Sequence, residues 1–142
     1  MFAHATHRFA LASALIVTTT AADAAGNQSF DGTWNVAVEC TSASNAVKGY
    51  TWAFPTQIRN GALVGQYGTR GATPSGTLSG QIDPNGNAVL QMTGLTGEPG
   101  HTLGRVSVGT PFRYTATVHF GPNSGTGKRN QGRECTFTFV RA

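Results

Sequence analysis

The sequence predicts an all-β fold: a small antiparallel meander of seven or eight strands that closes into a barrel, with one disulfide joining its first and last strands. Apolar and polar side chains alternate with a period of two over several short segments, as in strands that bury one face. Turn residues separate these segments at nearly regular spacing, which is typical of small barrels and sandwiches. The 2 cysteines lie at the end of the first predicted strand and at the start of the last.

The N-terminal segment has a composition of its own. Arg8 is followed by an apolar run over residues 9–17 and then by small residues that end in Ala22-Asp23-Ala24. This order is typical of a cleavable secretory signal peptide, and the run is shorter than the ~20 apolar residues that a membrane span needs. We therefore expect residues 1–24 to be removed and the protein to be exported, to the periplasm or outside the cell. An amphipathic or buried first helix is the alternative.

The rest of the chain is predicted to be one domain, with an N-terminal arm over residues 25–32 and a barrel over residues 33–142. Removing the signal peptide takes away one arginine and one aspartate, so the net charge stays at +4. A nucleic-acid-binding protein would need basic clusters interleaved with aromatic residues, and the sequence has none. We expect no nucleic-acid partner and no membrane span.

The first predicted strand covers residues 33–40 and puts Trp34, Val36, Val38 and Cys40 on one face. The further predicted strands are residues 50–54, 63–67, 77–82, 88–95, 112–120 and 135–139. Asn60-Gly61 and residues 83–86 are predicted turns. Residues 96–111 are predicted to be a connection with a short strand near 105–108, and residues 121–132 a polar, basic loop or hairpin tip.

Cys40 and Cys135 are predicted to form the disulfide, because an exported chain with an even number of cysteines is expected to oxidise them. A metal site or a reactive thiol is the alternative, but two distant cysteines without a nearby histidine make a poor zinc set. An antiparallel pairing of the first and last strands would also set Val38 near Phe137 and Val36 near Phe139. Such a pairing closes a barrel and removes its exposed edges.

Two short motifs carry a resemblance to known barrels. Residues 30–34, Phe-Asp-Gly-Thr-Trp, and residues 63–67, Leu-Val-Gly-Gln-Tyr, resemble the calycin-like barrels: avidins, lipocalins and small bacterial periplasmic protease inhibitors. With residues 65–68 and 94–97, the chain also looks like a group of small exported bacterial proteins of unassigned function. Avidins carry several late tryptophans at the biotin site, whereas this chain has only Trp34 and Trp52, so no biotin-binding residue is carried over. The resemblance to protease inhibitors implies an N-terminal arm, here residues 25–31, that plugs an active site.

The richest cluster of aromatic residues is the candidate ligand-binding set: Trp52, Trp34, Tyr67 and Tyr114. These residues either fill the barrel core or line a cavity, because an eight-stranded barrel can hold side chains or one small ligand. Trp52 is the expected ligand contact, and Trp34 is expected nearer the closed end. The glycines at 65, 68, 80 and 94 are expected to leave space inside the barrel if their positions face inward.

Lys128, Arg129 and Arg133 lie close together in the sequence near the last predicted hairpin. They form either a solvated hairpin tip or a patch for an anionic partner, such as a lipid headgroup, a polysaccharide or an acidic protein.

The sequence offers no assembled catalytic set. Glu98 and His101 share a flexible loop, and His119 lies on the polar face of its strand. General acid–base work and metal binding both need converging groups, so we expect no catalytic residue, no metal and no cofactor. The sequence thus favours a non-enzymatic module that binds a small apolar ligand or docks an extracytoplasmic protein. The alternatives are a periplasmic protease inhibitor of the β-barrel type and a structural envelope protein.

Overall fold

The structure is a computed structural model that describes residues 28–44 and 46–142. It confirms the all-β fold and the closed barrel: eight antiparallel strands pair in chain order, and β1 pairs with β8. The strands are β1 Gly32–Cys40, β2 Tyr50–Arg59, β3 Ala62–Tyr67, β4 Ser75–Gln81, β5 Asn87–Leu95, β6 Pro111–Phe120, β7 Ser124–Arg129 and β8 Cys135–Arg141. The predicted signal peptide and residues 25–27 lie outside the described residues. Within the described part, no helix is long and apolar enough to cross a membrane.

The seam between β1 and β8 has the predicted register. Val36 lies opposite Phe139, Val38 opposite Phe137, and Cys40 opposite Cys135. The two cysteines form a disulfide, as predicted. The alternation of apolar residues on both strands sets this register, because a slip by one residue would turn each apolar side chain towards water.

One end of the barrel is closed by aromatic packing. The Trp34 ring is fully buried and meets the Phe120 ring edge-on, with 5.4 Å between the ring centroids. Its indole Nε1 donates a hydrogen bond of 2.8 Å to the Phe30 carbonyl. Arg141 lies over the Trp34 ring at 4.6 Å and donates to the Ser29 and Asp31 carbonyls. The residues before β1 are thereby held against this end.

Two local predictions were wrong. Residues 121–132, predicted to be a loop or hairpin tip, contain strand β7, whose inward positions include Gly125 and Gly127. A Cβ atom at Gly127 would lie 2.5 Å from Val118 Cγ2, so glycine is needed there and no apolar alternation marks the strand. Residues 105–108 are not a strand. The connection instead forms two 3-10 helices, Pro99–His101 and Leu103–Arg105, and it bends through positive φ angles of 73° at Gly104 and 49° at Arg105.

The predicted space at the interior glycines is also not found. The residues concerned are Gly65, Gly68, Gly80 and Gly94. A Cβ atom would lie 3.0 Å from Phe54 Cε2 at Gly65, 2.7 Å from Leu90 Cδ2 at Gly80 and 2.9 Å from Phe112 Cζ at Gly94. Gly68 has a φ angle of 64° and belongs to a turn. The absent side chains therefore let neighbouring side chains pack closely, and the middle of the barrel is filled.

Candidate functional site

A cavity of about 460 Å³ lies at the end of the barrel opposite Trp34. Strands β2, β3, β6 and β7 contribute side chains, and residues 96–98, 101–103, 106 and 110 of the connection before β6 line its mouth. This volume lies within the range of about 300–1,000 Å³ that small-molecule sites occupy. The alternating pattern that buries one face of each strand directs these side chains inwards.

The wall of the cavity is aromatic. Trp52 and Tyr67 stack with their centroids 4.2 Å apart and their planes 7° from parallel. Phe112 lies 6.2 Å from Trp52 and stacks on Tyr114 at 5.9 Å, and Tyr50 lies 5.3 Å from Trp52. Three predicted residues, Trp52, Tyr67 and Tyr114, thus line one cavity. Trp34, the fourth, lies at the closed end and does not line it.

Tyr50 and Phe112 were not predicted as site residues, although the alternation of apolar residues in their strands could have identified them. Tyr50 shares the apolar face of its strand with Trp52, and Phe112 shares that of Tyr114. Both stand at strand ends, where a barrel side chain is as close to solvent as to the core. Their intermediate burial in the structure reflects that position.

The three basic residues do not form a single patch. Lys128 points outwards, with 74% of its side chain exposed, and its Nζ lies 3.8 Å from Glu134 Oε1. Arg129, the next residue on β7, points inwards and lines the cavity, as does Arg133. Successive residues of a strand face opposite sides, so Lys128 and Arg129 could not share a face.

Arg133 connects the loops around the cavity. It is only 7% exposed. One guanidinium nitrogen donates to the His101 carbonyl at 2.7 Å, and the other donates to the Lys48 carbonyl at 3.0 Å and to the Thr41 carbonyl. Its Nε is buried without a hydrogen-bond partner in the described part of the chain. The residue therefore has a structural role and leaves one buried donor unused.

Arg129 is half-buried, with its guanidinium 3.8 Å from the centroid of the Tyr114 ring. Its Nε donates to the Gln131 carbonyl. Across residues 28–44 and 46–142, no carboxylate lies within ion-pair distance of Arg129 or Arg133. Burial lowers the pKa of Arg129, and the nearby Tyr114 and Tyr50 oppose that shift.

The Tyr114 hydroxyl is buried beside the Tyr50 hydroxyl, which interacts with it from beyond ordinary hydrogen-bond length. The residue is 4% exposed, and its hydroxyl makes no hydrogen bond within the described residues. Burial raises the pKa of Tyr114 far above the usual tyrosine value, with a further contribution from Tyr50 nearby, whose pKa burial also raises. Both hydroxyls therefore remain neutral donors at ordinary pH.

The loop residues Glu98 and His101 also line the cavity mouth. His101 donates from Nδ1 to the Gly49 carbonyl at 3.1 Å, which helps to hold the connection before β6 onto the barrel. His119 is exposed, 2.9 Å from the Asn87 side-chain oxygen. No group of three metal-binding side chains occurs in the part of the chain that the structure describes.

Comparisons with protein-family models, with curated proteins and with solved structures find no match to this chain. The resemblance to calycin-like barrels remains a prediction. Any functional argument has to rest on the cavity itself.

Proposed function

We propose that this protein is an exported binding module that holds a small, largely apolar molecule in the cavity without transforming it. One observation carries the proposal: a barrel that is otherwise packed opens at one end into an aromatic-lined cavity of about 460 Å³. Aromatic walls with a few polar groups are the usual composition of small-molecule sites. Burial of apolar ligand surface against such rings supplies the main part of the binding free energy.

Export is part of the proposal. The predicted signal peptide supports it, and so does the Cys40–Cys135 disulfide, because disulfides persist mainly in oxidising compartments. The periplasm and the extracellular space both fit.

The N-terminal contacts favour ligand binding over protease inhibition by a projecting arm. Arg141 donates to the Asp31 carbonyl at 2.6 Å and to the Ser29 carbonyl at 3.0 Å, and Phe30 is buried at the closed end. An arm that plugs an active site would have to release these contacts. The cavity lies at the other end of the barrel and needs no such change.

The two tryptophans make a direct test, because they lie at opposite ends of the barrel. A panel of small metabolites, fatty acids and oligosaccharides would be screened with the disulfide-bonded protein for a rise in melting temperature. A ligand at a hundred times its Kd stabilises the folded state by about 2.7 kcal/mol. A hit should also change the tryptophan fluorescence.

The matched variants are Trp52→Phe and Trp34→Phe. In Trp34→Phe the remaining fluorophore is the one in the cavity, so the ligand-dependent change should persist. In Trp52→Phe only the fully buried indole at the closed end remains, and the change should disappear. A panel without hits, or a hit whose signal survives in Trp52→Phe and is lost in Trp34→Phe, would contradict the proposal.

A further inference from the structure

The inner wall of the cavity combines two guanidinium groups with a hydroxyl donor that has no strong acceptor. Arg129 and Arg133 both line it without a carboxylate partner among the described residues, and the buried Tyr114 hydroxyl has the Tyr50 hydroxyl nearby but makes no hydrogen bond of ordinary length. Buried charges are usually paired, and buried polar groups usually have hydrogen-bond partners. An anionic oxygen would accept from both the guanidinium and the hydroxyl and would also balance the positive charge, which a neutral acceptor cannot do.

The aromatic rings alone would also suit a cation, since rings of this kind form cages for ammonium groups. Here two of the ring faces already hold protein cations. The Arg129 guanidinium lies 3.8 Å from the Tyr114 centroid, and the Arg133 guanidinium lies 5.3 Å from the Tyr50 centroid. Glu98, the acid that lines the cavity, is an exposed residue at its mouth. A ligand cation near the rings would therefore meet like charge, whereas an anion would meet opposite charge.

Resting on the proposed function, we propose that the ligand is a small carboxylate on an apolar body, with its carboxylate at Arg129 and its body against Trp52 and Phe112. Arginine presents a planar set of donors that matches the two oxygens of a carboxylate. The Tyr114 hydroxyl donates to the same group. Arg133 is a positioning residue, because its terminal nitrogens already donate to three backbone carbonyls.

The test compares probes that share one body and differ in charge. The probes are 2-naphthylacetate, its neutral analogue 2-naphthylacetamide and the cation 2-(2-naphthyl)ethylamine, each titrated calorimetrically into the exported, disulfide-bonded protein. A hydrogen bond to a charged group is worth enough to change affinity by about tenfold or more. We expect the carboxylate to bind at least about tenfold more tightly than the amide, and the amine to bind most weakly. Octanoate is titrated in parallel, and its affinity relative to that of 2-naphthylacetate shows whether the cavity prefers an acyl chain or an aromatic ring.

The matched variants are Arg129→Gln and Lys128→Gln. Both remove one positive charge from the same strand, but Lys128 points outwards and its side chain is 74% exposed. Arg129→Gln should bring the carboxylate-to-amide affinity ratio close to one, and Lys128→Gln should leave the ratio unchanged. Arg129→Lys keeps the charge and should retain part of the preference. Because the ratio is measured within each protein, a general loss of stability would affect both probes and leave the ratio intact.

The outcomes separate the two proposals. If the amide binds as tightly as the carboxylate, or if Lys128→Gln lowers the ratio as much as Arg129→Gln does, the carboxylate assignment fails while binding in the cavity stands. If none of the probes binds and the screen of small molecules also finds no ligand, both proposals fail.

Discussion

Replacing Tyr114 with phenylalanine should stabilise the ligand-free protein. The change removes only the hydroxyl, which is buried and makes no hydrogen bond of ordinary length within the described structure. The ring keeps its neighbours: the Arg129 guanidinium at 3.8 Å, the Phe112 ring at 5.9 Å and the Phe137 ring at 6.4 Å. The variant therefore isolates the cost of burying one polar oxygen.

The size of the effect follows from the desolvation of that hydroxyl. Leaving a buried donor unsatisfied costs about 1–3 kcal/mol. The nearby Tyr50 hydroxyl is a weak, distant acceptor for the Tyr114 hydroxyl and offsets part of this cost, so we take the lower end of the range. The free energy of unfolding should rise by about 1 kcal/mol, which corresponds to roughly 4 °C in melting temperature for a domain of this size.

The assay is urea unfolding and calorimetry of the ligand-free protein, with Tyr67→Phe as the control. Tyr67 is only partly buried, so its hydroxyl can reach water and its loss should change stability by less than about 0.5 kcal/mol. Tyr114→Phe should at the same time bind 2-naphthylacetate more weakly. A variant that loses 1 kcal/mol of stability would refute the reasoning, because the hydroxyl would then have a partner in the folded protein.

Three further predictions concern the barrel. Replacing both cysteines with alanine should lower the free energy of unfolding by about 4–5 kcal/mol, because the bridge spans 95 residues of sequence; a loss below about 1 kcal/mol in urea unfolding would contradict this. Gly127→Ala should cost about 1–3 kcal/mol through overpacking against its neighbours, whereas Gly100→Ala, where a Cβ atom meets nothing within 4 Å, should leave the melting temperature nearly unchanged. Burial raises the pKa of Tyr114 and Tyr50 above the ordinary 10.0, so the folded state keeps protons that the unfolded state releases. Stability should therefore fall as the pH rises above about 10, and unfolding titrations of Tyr114→Phe should show a smaller fall.

The fold could be predicted from the sequence because the alternation of apolar residues and the positions of the two cysteines indicated the same closed barrel. The alternation in the first strand defined a buried face, and Cys40 and Cys135 lay on the buried faces of the first and last strands. Pairing those faces led to the observed register, with Val38 opposite Phe137. A covalent bond between distant residues is strong information, because it specifies a long-range contact that local patterns cannot.

The site could be predicted only in part. Aromatic residues with alternating spacing identify a buried face, but they do not show which part of that face stays empty. Trp34 and Trp52 have the same local pattern and are both buried, yet other side chains cover the first on all sides, whereas the second borders the cavity. The difference depends on what closes each end of the barrel, which only the three-dimensional structure shows.

The misassignment of the basic residues follows from the misassignment of β7. Interpreted as a loop or hairpin tip, residues 121–132 place Lys128 and Arg129 near Arg133 at a solvated tip. Read as a strand in which Gly125 and Gly127 face inwards, the same residues require Arg129 to face inwards too, opposite the buried Ala116. Because Gly125 and Gly127 occupy inward positions, the strand shows no apolar alternation. The same two glycines nevertheless indicate which residues of the strand face inwards. A polar segment between two apolar strands can therefore be a strand itself if glycines occupy every second position. Its charged residues should be assigned to the surface only after that possibility has been tested.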